Sequence, residues 1–169
     1  MIDFLVAADE LCLVELLKPI KKYIIDNQDE LVRQNFVKAY NASFKYEGFE
    51  VIQEHCEELI GESPELLFES DDFNLIEEPL LISVIEKDEL AYKEIEIWNY
   101  VIKWGMEQKP QINSKISELT QEDYEALQNR LHELLKCIRF FTLTSDEFYN
   151  VIWPLRELLS DDLIDELVE

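Results

Sequence analysis

The sequence predicts an all-α protein, a helical bundle built from antiparallel helix pairs. Apolar residues recur at steps of three and four along most of the chain, which is the spacing of one helix face. Only three glycines occur in 169 residues, so the chain has little material for hairpin turns between strands. No segment shows sustained alternation of apolar and polar residues, and the single strand-like run is 140–144. Helices joined by short connections are therefore expected.

Two amphipathic helices are predicted on either side of a turn at Glu47 and Gly48. The helix before the turn has its apolar face at Phe36, Val37, Tyr40 and Phe44. The helix after the turn spans 48–60 and has its apolar face at Phe49, Ile52, Cys56, Leu59 and Ile60. Gly61 stands where this second helix would stop. The two helices are expected to pair as a helical hairpin.

Three helices are predicted in the middle of the chain. Ser63 and Pro64 form a favourable helix start, because the serine oxygen can accept a free backbone N–H and proline at the first position loses no needed donor. A second helix spans 77–85 and a third spans 93–108. The third has a wide apolar surface, which indicates a central helix with several neighbours. Its Gly105 is expected to let another backbone come close.

Capping residues mark the starts of the later helices. Thr120 and Asp123 fit the pattern in which a threonine and an acid three residues later exchange hydrogen bonds with the backbone. A long apolar face follows them. Thr144 and Glu147 repeat the pattern before the next helix. A last amphipathic helix begins at 160–162.

The charge of the chain restricts its partners. With 38 acidic and 15 basic residues the formal net charge is −23, which repels nucleic acids and anionic lipid surfaces. No window approaches the roughly 20 apolar residues of a membrane helix, and the acid at Asp3 argues against an export signal. Cys12, Cys56 and Cys137 do not form a disulfide framework. We expect a protein of the cytoplasm, with the nucleus as the alternative compartment, that binds neither nucleic acid nor membrane.

No catalytic or metal-binding pattern occurs in the sequence. His55 lies off the apolar face of its helix and His132 flanks its own, and neither belongs to a catalytic signature. The cysteines and histidines lack the close pairs of a structural zinc site, and no glycine-rich phosphate loop is present. Pairs of neighbouring acids arise by chance in so acidic a chain. We therefore expect no enzyme activity, no cofactor and no metal.

Two runs in the middle of the chain carry a family resemblance. The run 78–90 reads EPLLISVIEKDEL, and the run 93–104 reads KEIEIWNYVIKW. Together they resemble the centre of a BACK domain, in which an acidic-leucine turn precedes a helix with an acid near its start and a tryptophan near its end. Glu94 or Glu96 occupies the place of the acid, and Trp104 that of the tryptophan.

Flanking runs extend this resemblance over nearly the whole chain. IRFF at 138–141 is similar to the arginine-phenylalanine step of the BACK family, and TSDEF at 144–148 resembles the helix start after it. FLVAADELCLVELL at 4–17 looks like the last helices of a BTB domain. The resemblance divides the chain into truncated BTB helices at 1–27 and a BACK-like helical domain at 28–169. It is closest to the fungal BTB-BACK type that continues into a TLDc domain rather than into kelch repeats.

Two features depart from the family pattern. The strands and dimerising helices of a BTB domain have no counterpart ahead of Met1, which puts self-association of the BTB kind in doubt. Pro19 falls inside or at the start of the last BTB-like helix, where it would kink the helix or set a new first turn.

The resemblance implies a non-catalytic adaptor for cullin-RING ubiquitin ligases. In such proteins the BTB unit and the first BACK helix pair engage the N-terminal domain of a cullin, and another domain binds the substrate protein. A groove on the first hairpin would then accept apolar residues of the partner, and its candidate residues are Phe36, Val37, Tyr40, Phe44, Phe49 and Ile52. For each residue taken singly a place in the core is the stronger expectation, because an aromatic at helical spacing is usually core. The alternative function is a purely architectural spacer that positions flanking domains without cullin contact.

Overall fold

The computed structural model describes residues 1–168 and confirms the all-α class. Helices dominate these residues, and no strand occurs among them. None of the described helices is long and apolar enough to cross a membrane. The chain divides into two compact units, one from Met1 to Leu80 and one that begins at Leu81.

The first unit is built around a helical hairpin. Its helices are α1 (Ile2–Glu10), α2 (Val14–Asp26), α3 (Gln28–Gln34), α4 (Phe36–Lys45), α5 (Glu50–Glu62) and α6 (Glu65–Phe68). A 3-10 turn at Phe73–Leu75 follows, and α7 (Glu78–Ile85) begins at the end of the unit. The helices α4 and α5 pack against each other, and α1, α3 and α6 also contact α4. The hairpin expected from the apolar spacing is therefore present.

The second unit contains the longest helices of the chain. After α7 come α8 (Glu94–Glu107), a 3-10 turn (Ile116–Glu118), α9 (Gln121–Lys136) and a second 3-10 turn (Phe140–Thr142). The short α10 (Ser145–Glu147) continues into a π-helical turn (Phe148–Ile152) and a 3-10 stretch (Trp153–Leu158), and α11 (Asp161–Val168) comes last. All three tryptophans of the chain lie in this unit, at positions 98, 104 and 153.

The helices α8 and α9 form the central pair of the second unit. A Cβ added at Gly105 would lie 2.7 Å from Cδ2 of Leu131, so the glycine admits this side chain of α9 into the surface of α8. Arg130 of α9 donates from Nη1 to the Gly105 carbonyl at 2.9 Å and from Nη2 to the carbonyl of Pro110. Nη1 also reaches the Gln108 carbonyl at 3.3 Å. One arginine thus ties α9 to the end of α8 and to the connection after it.

Both capping predictions are confirmed. The Thr120 hydroxyl accepts from the Asp123 N–H at 3.2 Å, and the Asp123 carboxylate accepts from the Thr120 N–H at 3.0 Å. Thr144 and Glu147 form the same reciprocal pair, at 3.2 Å and 2.9 Å. These bonds satisfy backbone donors that the first turn of a helix leaves free, so α9 and α10 begin where the sequence indicates.

Three local expectations differ from the structure. Gly61 lies inside α5, which continues to Glu62 because Leu59 and Ile60 are buried on its last turn. Ser63 makes no capping bond to α6. Gly105 receives a leucine side chain and not a backbone. As expected, the strand-like run at 140–144 forms no strand; it contains a 3-10 turn, and Phe140 packs edge-on against Trp98 at 5.7 Å between ring centres.

The proline at position 19 lies within α2, the first of the two alternatives left open by the sequence. The helix is amphipathic, but only Ile24 on it is fully buried. It stays attached to the first unit through α1 and α3, with which it makes contact.

Candidate protein-interaction surface

The six residues predicted for a partner groove all lie on the α4–α5 hairpin or its turn. Phe36, Val37, Tyr40 and Phe44 are on α4, Phe49 precedes α5 and Ile52 lies in its first turn. Five of the six are at most 3% exposed, and Phe44 is 47% exposed. The structure therefore brings the six together as one cluster, in which five form core and one remains accessible.

Burial of the five follows from the number of helices around α4. Because α1, α3, α5 and α6 all contact α4, almost every direction around its apolar face is covered. The ring of Tyr40 lies 5.9 Å from that of Phe36, and its hydroxyl donates to the Glu57 carboxylate of α5 at 2.6 Å. A buried tyrosine hydroxyl needs such an acceptor. Tyr40 is thus a core residue that links the two arms of the hairpin.

Phe44 lies one turn beyond Tyr40, in the last turn of α4. Its ring meets the Tyr40 ring edge-on at 5.4 Å, so one side of Phe44 rests on the core. The other side faces solvent, and Val51 in the first turn of α5 is also exposed, at 42%. We name Phe44 and Val51 the hairpin tip. An aromatic that is fixed on one side and exposed on the other is typical of residues that anchor protein interfaces.

A lysine from α2 fixes the turn between the hairpin helices. Lys21 donates from Nζ to the Glu47 carbonyl at 3.0 Å. The same nitrogen lies 5.8 Å from the centre of the Tyr46 ring and 6.0 Å from that of Phe49. Nothing near Lys21 in the sequence signals this contact, since its partners are more than 20 residues away. The contact holds α2 against the turn of the hairpin.

The N-terminal helices expose a second apolar surface on the first unit. On one side of α1, Ile2, Leu5 and Ala8 are buried. The exposed large apolar residues of this region include Phe4, Leu11, Leu13, Val14 and Leu16, each between 45% and 72% exposed. We name these five the N-terminal apolar surface. So many uncovered apolar residues in one short segment are typical of a surface that contacts another protein or domain.

In the second unit the structure pairs two of the family landmarks. The Arg139 backbone N–H donates to the Glu94 carboxylate at 2.8 Å, and its Nη1 lies 3.6 Å from the same carboxylate. Nη2 donates to the Lys87 carbonyl at 3.0 Å in the acidic-leucine turn. Of the two acids left open by the sequence, Glu94 is therefore the one that meets the arginine. Trp104, the other landmark, is buried.

The histidines and cysteines are dispersed. His55 Nε2 lies 3.4 Å from an oxygen of the Asp29 carboxylate, and His132 is exposed on α9. Burial and the charge of Glu57 raise the pKa of the Cys56 thiol to about 12, so it is protonated at neutral pH. Among residues 1–168 no group of three or more histidine, cysteine or acidic side chains could bind a metal ion.

Comparison with known proteins identifies one family. The family model of BACK (BTB And C-terminal Kelch) matches residues 36–152. No curated protein matches the chain, and no solved structure does either. The matched segment begins at the first residue of α4 and ends with the π-helical turn.

Proposed function

The chain belongs to the BACK family, and on this premise we propose that it is an adaptor whose α4–α5 hairpin faces a cullin N-terminal domain. BACK regions are non-catalytic protein-interaction regions of BTB and kelch proteins. The adaptor class therefore follows from the family, and the cullin is the partner proposed for it. The observation that carries the choice of surface is Phe44, the one exposed aromatic of the hairpin cluster.

The hairpin tip has the chemistry of a small anchoring contact. Phe44 is 47% exposed, and the buried Tyr40 fixes the direction of its ring. A partner pocket could take up the exposed side of the ring without any change in the core. Covering such a ring stabilises a complex by about 2 kcal/mol, which is tenfold or more in affinity. The five buried residues of the cluster then support Phe44 and do not touch the partner.

We also propose that residues 1–27 are the BTB-like part and that the BACK-like domain begins at residue 28. The N-terminal apolar surface supports this division, because its residues are uncovered in the first unit. The start of α3 at Gln28 and the start of the family match at Phe36 are compatible with it. The three free thiols support a reducing compartment, the cytoplasm or the nucleus.

The proposed cullin contact is tested by Phe44→Glu. The substitution places a charge on an exposed residue, so the chain should fold as before, with unchanged helical circular dichroism and melting temperature. Binding to a purified cullin N-terminal domain, measured by isothermal titration calorimetry, should weaken at least tenfold. Phe141→Glu is the matched control, because Phe141 is 69% exposed in the second unit and is not part of the hairpin. It should bind like the unmodified chain.

A spacer without cullin contact is the second candidate function. It is favoured by the same N-terminal apolar surface, which could pack against a flanking domain. If neither the unmodified chain nor the Phe141→Glu control binds the cullin domain, the cullin proposal fails and the spacer stands. Equal binding by Phe44→Glu and the control would show that the hairpin tip is not the contact surface.

A further inference from the structure

An open groove on the second unit combines an apolar floor with two lysines. Its volume is about 1060 Å³, and it lies among α8, α9, the loop at 111–117 and the segment after α10. The floor is formed by Trp98, Ile102, Ile112, Ile116, Val151 and Leu155. An open groove with an apolar lining is the kind of surface that receives one face of an amphipathic helix.

Two lysines line this groove on a strongly acidic chain. Lys103 and Lys115 line it and are exposed, and neither forms an ion pair within residues 1–168. Glu107 is the one acid that lines it, and the Asp123 carboxylate beside it accepts from the lining Ser114 hydroxyl at 3.3 Å. Two arginines of the second unit are already engaged. Arg130 bonds to the Gly105 carbonyl, and Arg139 lies beside the Glu94 carboxylate. The two lysines are therefore available to an acidic ligand.

The last helix of the same chain has the complementary chemistry. Along α11, Leu163, Ile164 and Leu167 form one apolar stripe, and none of them is buried. At about 100° per residue, Asp161 and Glu166 flank this stripe on its two sides. Asp162 and Asp165 fall on the opposite side of the helix. An apolar stripe between two acids matches an apolar floor with two lysines.

No described residue of α11 lines the groove of its own chain, and Leu163 instead lines a smaller cleft beside α9. Leu158 and Leu159 are buried, and Ser160 alone separates them from Asp161. The Ser160 hydroxyl also accepts from the Leu163 N–H at 3.3 Å, which fixes the start of the helix. The start of α11 is thereby kept near α9 residues such as His132, which are not in the groove. A second copy of the chain can supply α11 to this groove.

We propose that α11 of one copy docks in the groove of a second copy and that the exchange is reciprocal, giving a two-fold symmetric dimer. Leu163, Ile164 and Leu167 cover the apolar floor, and Asp161 and Glu166 meet Lys103 and Lys115. Repulsion between the two acidic chains is screened beyond about 8 Å at physiological salt, whereas the pairs in the groove are closer than that. A small interface of this kind forms a weak, reversible dimer.

The first test is sedimentation velocity of the full chain from about 1 µM to about 1 mM, the range in which weak complexes associate. A reversible, concentration-dependent dimer is expected. A chain that remains monomeric up to the highest concentration overturns the proposal.

Charge reversal then assigns the contact. The groove variant is Lys103→Glu with Lys115→Glu, and the helix variant is Asp161→Lys with Glu166→Lys. Each variant alone places like charges in the contact and should dimerise at least tenfold more weakly. An equal mixture of the two restores both contacts, because each groove then meets a helix of opposite charge. The mixture should form a heterodimer with an affinity close to that of the unmodified chain.

Matched controls carry the same charge changes elsewhere. Asp162→Lys with Asp165→Lys changes the opposite side of α11, and Lys18→Glu with Lys22→Glu changes exposed lysines of α2. Both controls should dimerise within about twofold of the unmodified chain, and circular dichroism should be the same for all variants. Dimerisation that persists in the groove variant, or a mixture that stays monomeric, contradicts the proposed contact.

Discussion

The two main helix pairs of the protein are stabilised in different ways. Between α4 and α5 the turn is four residues long, and the pair is joined by apolar packing and one Tyr40–Glu57 hydrogen bond. Between α8 and α9 the connection spans 108–120, and Arg130 bonds to three carbonyls at its start. A longer connection loses more conformational entropy when it is ordered. Both connections have a polar anchor, but they differ in its source. The short turn takes one hydrogen bond from Lys21 of a third helix, α2, whereas the long connection is bonded by Arg130 of the pair itself.

The largest predicted effect concerns the buried aromatic residues, which both helix pairs have. Phe49 and Trp98 are each 1% exposed, one beside α5 and the other on α8. Phe49→Ala and Trp98→Ala should each lower the free energy of unfolding by about 4 kcal/mol, because each leaves a cavity in a packed core. Urea denaturation followed by circular dichroism measures the change. Phe141→Ala, at an exposed position, should change stability by less than about 0.5 kcal/mol. A small effect at either buried site would mean that its helix pair does not depend on the core.

The second prediction addresses Arg130, the polar anchor of the longer connection. Arg130→Met keeps much of the apolar stem and removes the bonds to the Gly105, Gln108 and Pro110 carbonyls. Stability should fall by about 2 kcal/mol, since these are hydrogen bonds from a charged donor. Amide exchange should accelerate around residues 108–112 and remain unchanged in the α4–α5 turn. In the control Arg156→Met, which removes a cation stacked on Trp153 at 4.8 Å, exchange around 108–112 should not change. If Arg130→Met leaves that exchange slow, packing alone orders the connection.

The smallest effect is a pH dependence at the start of α9. Hydrogen bonds from the Thr120 N–H lower the pKa of the Asp123 carboxyl below its usual value. A carboxyl whose pKa is lower in the folded chain stabilises the fold above its unfolded pKa, and the contribution disappears as the pH falls through the folded pKa. In Asp123→Asn the stability should therefore decrease less as the pH falls. Melting curves between pH 7 and about pH 2 measure this decrease.

The helices α4 and α5 have no side-chain cap, so no comparable change is expected at their starts. Asp162→Asn on exposed α11, a carboxyl that forms no capping bond, is the control and should leave the acid profile unchanged. A profile identical for Asp123→Asn and the unmodified chain would show that the capping box contributes nothing measurable.

The sequence predicted those parts of the fold that depend on neighbouring residues. The capping pairs at Thr120 and Thr144 were predictable because both partners lie within three residues of each other. The helices followed from the spacing of apolar residues. The predicted end of α5 at Gly61 was wrong, because tertiary packing of Leu59 and Ile60 outweighs the low helix propensity of glycine.

The candidate site was less predictable, because it depends on contacts between distant segments. Apolar spacing identified the face that contains Tyr40 and Phe44, but it cannot indicate that neighbouring helices cover one and not the other. The choice between Glu94 and Glu96 required Arg139, which lies 45 residues further along the chain. Lys21 had no local signal at all, since the carbonyl it binds is 26 residues away.

The position of the three tryptophans makes the second unit spectroscopically distinct. Selective excitation of tryptophan follows unfolding of the residues after Leu81, because the first unit contains no tryptophan. Far-ultraviolet circular dichroism follows the helices of both units. Coincident midpoints from the two signals would identify a single cooperative transition, and separate midpoints would reveal two. The unmodified chain therefore contains its own label for measuring how strongly its halves are coupled.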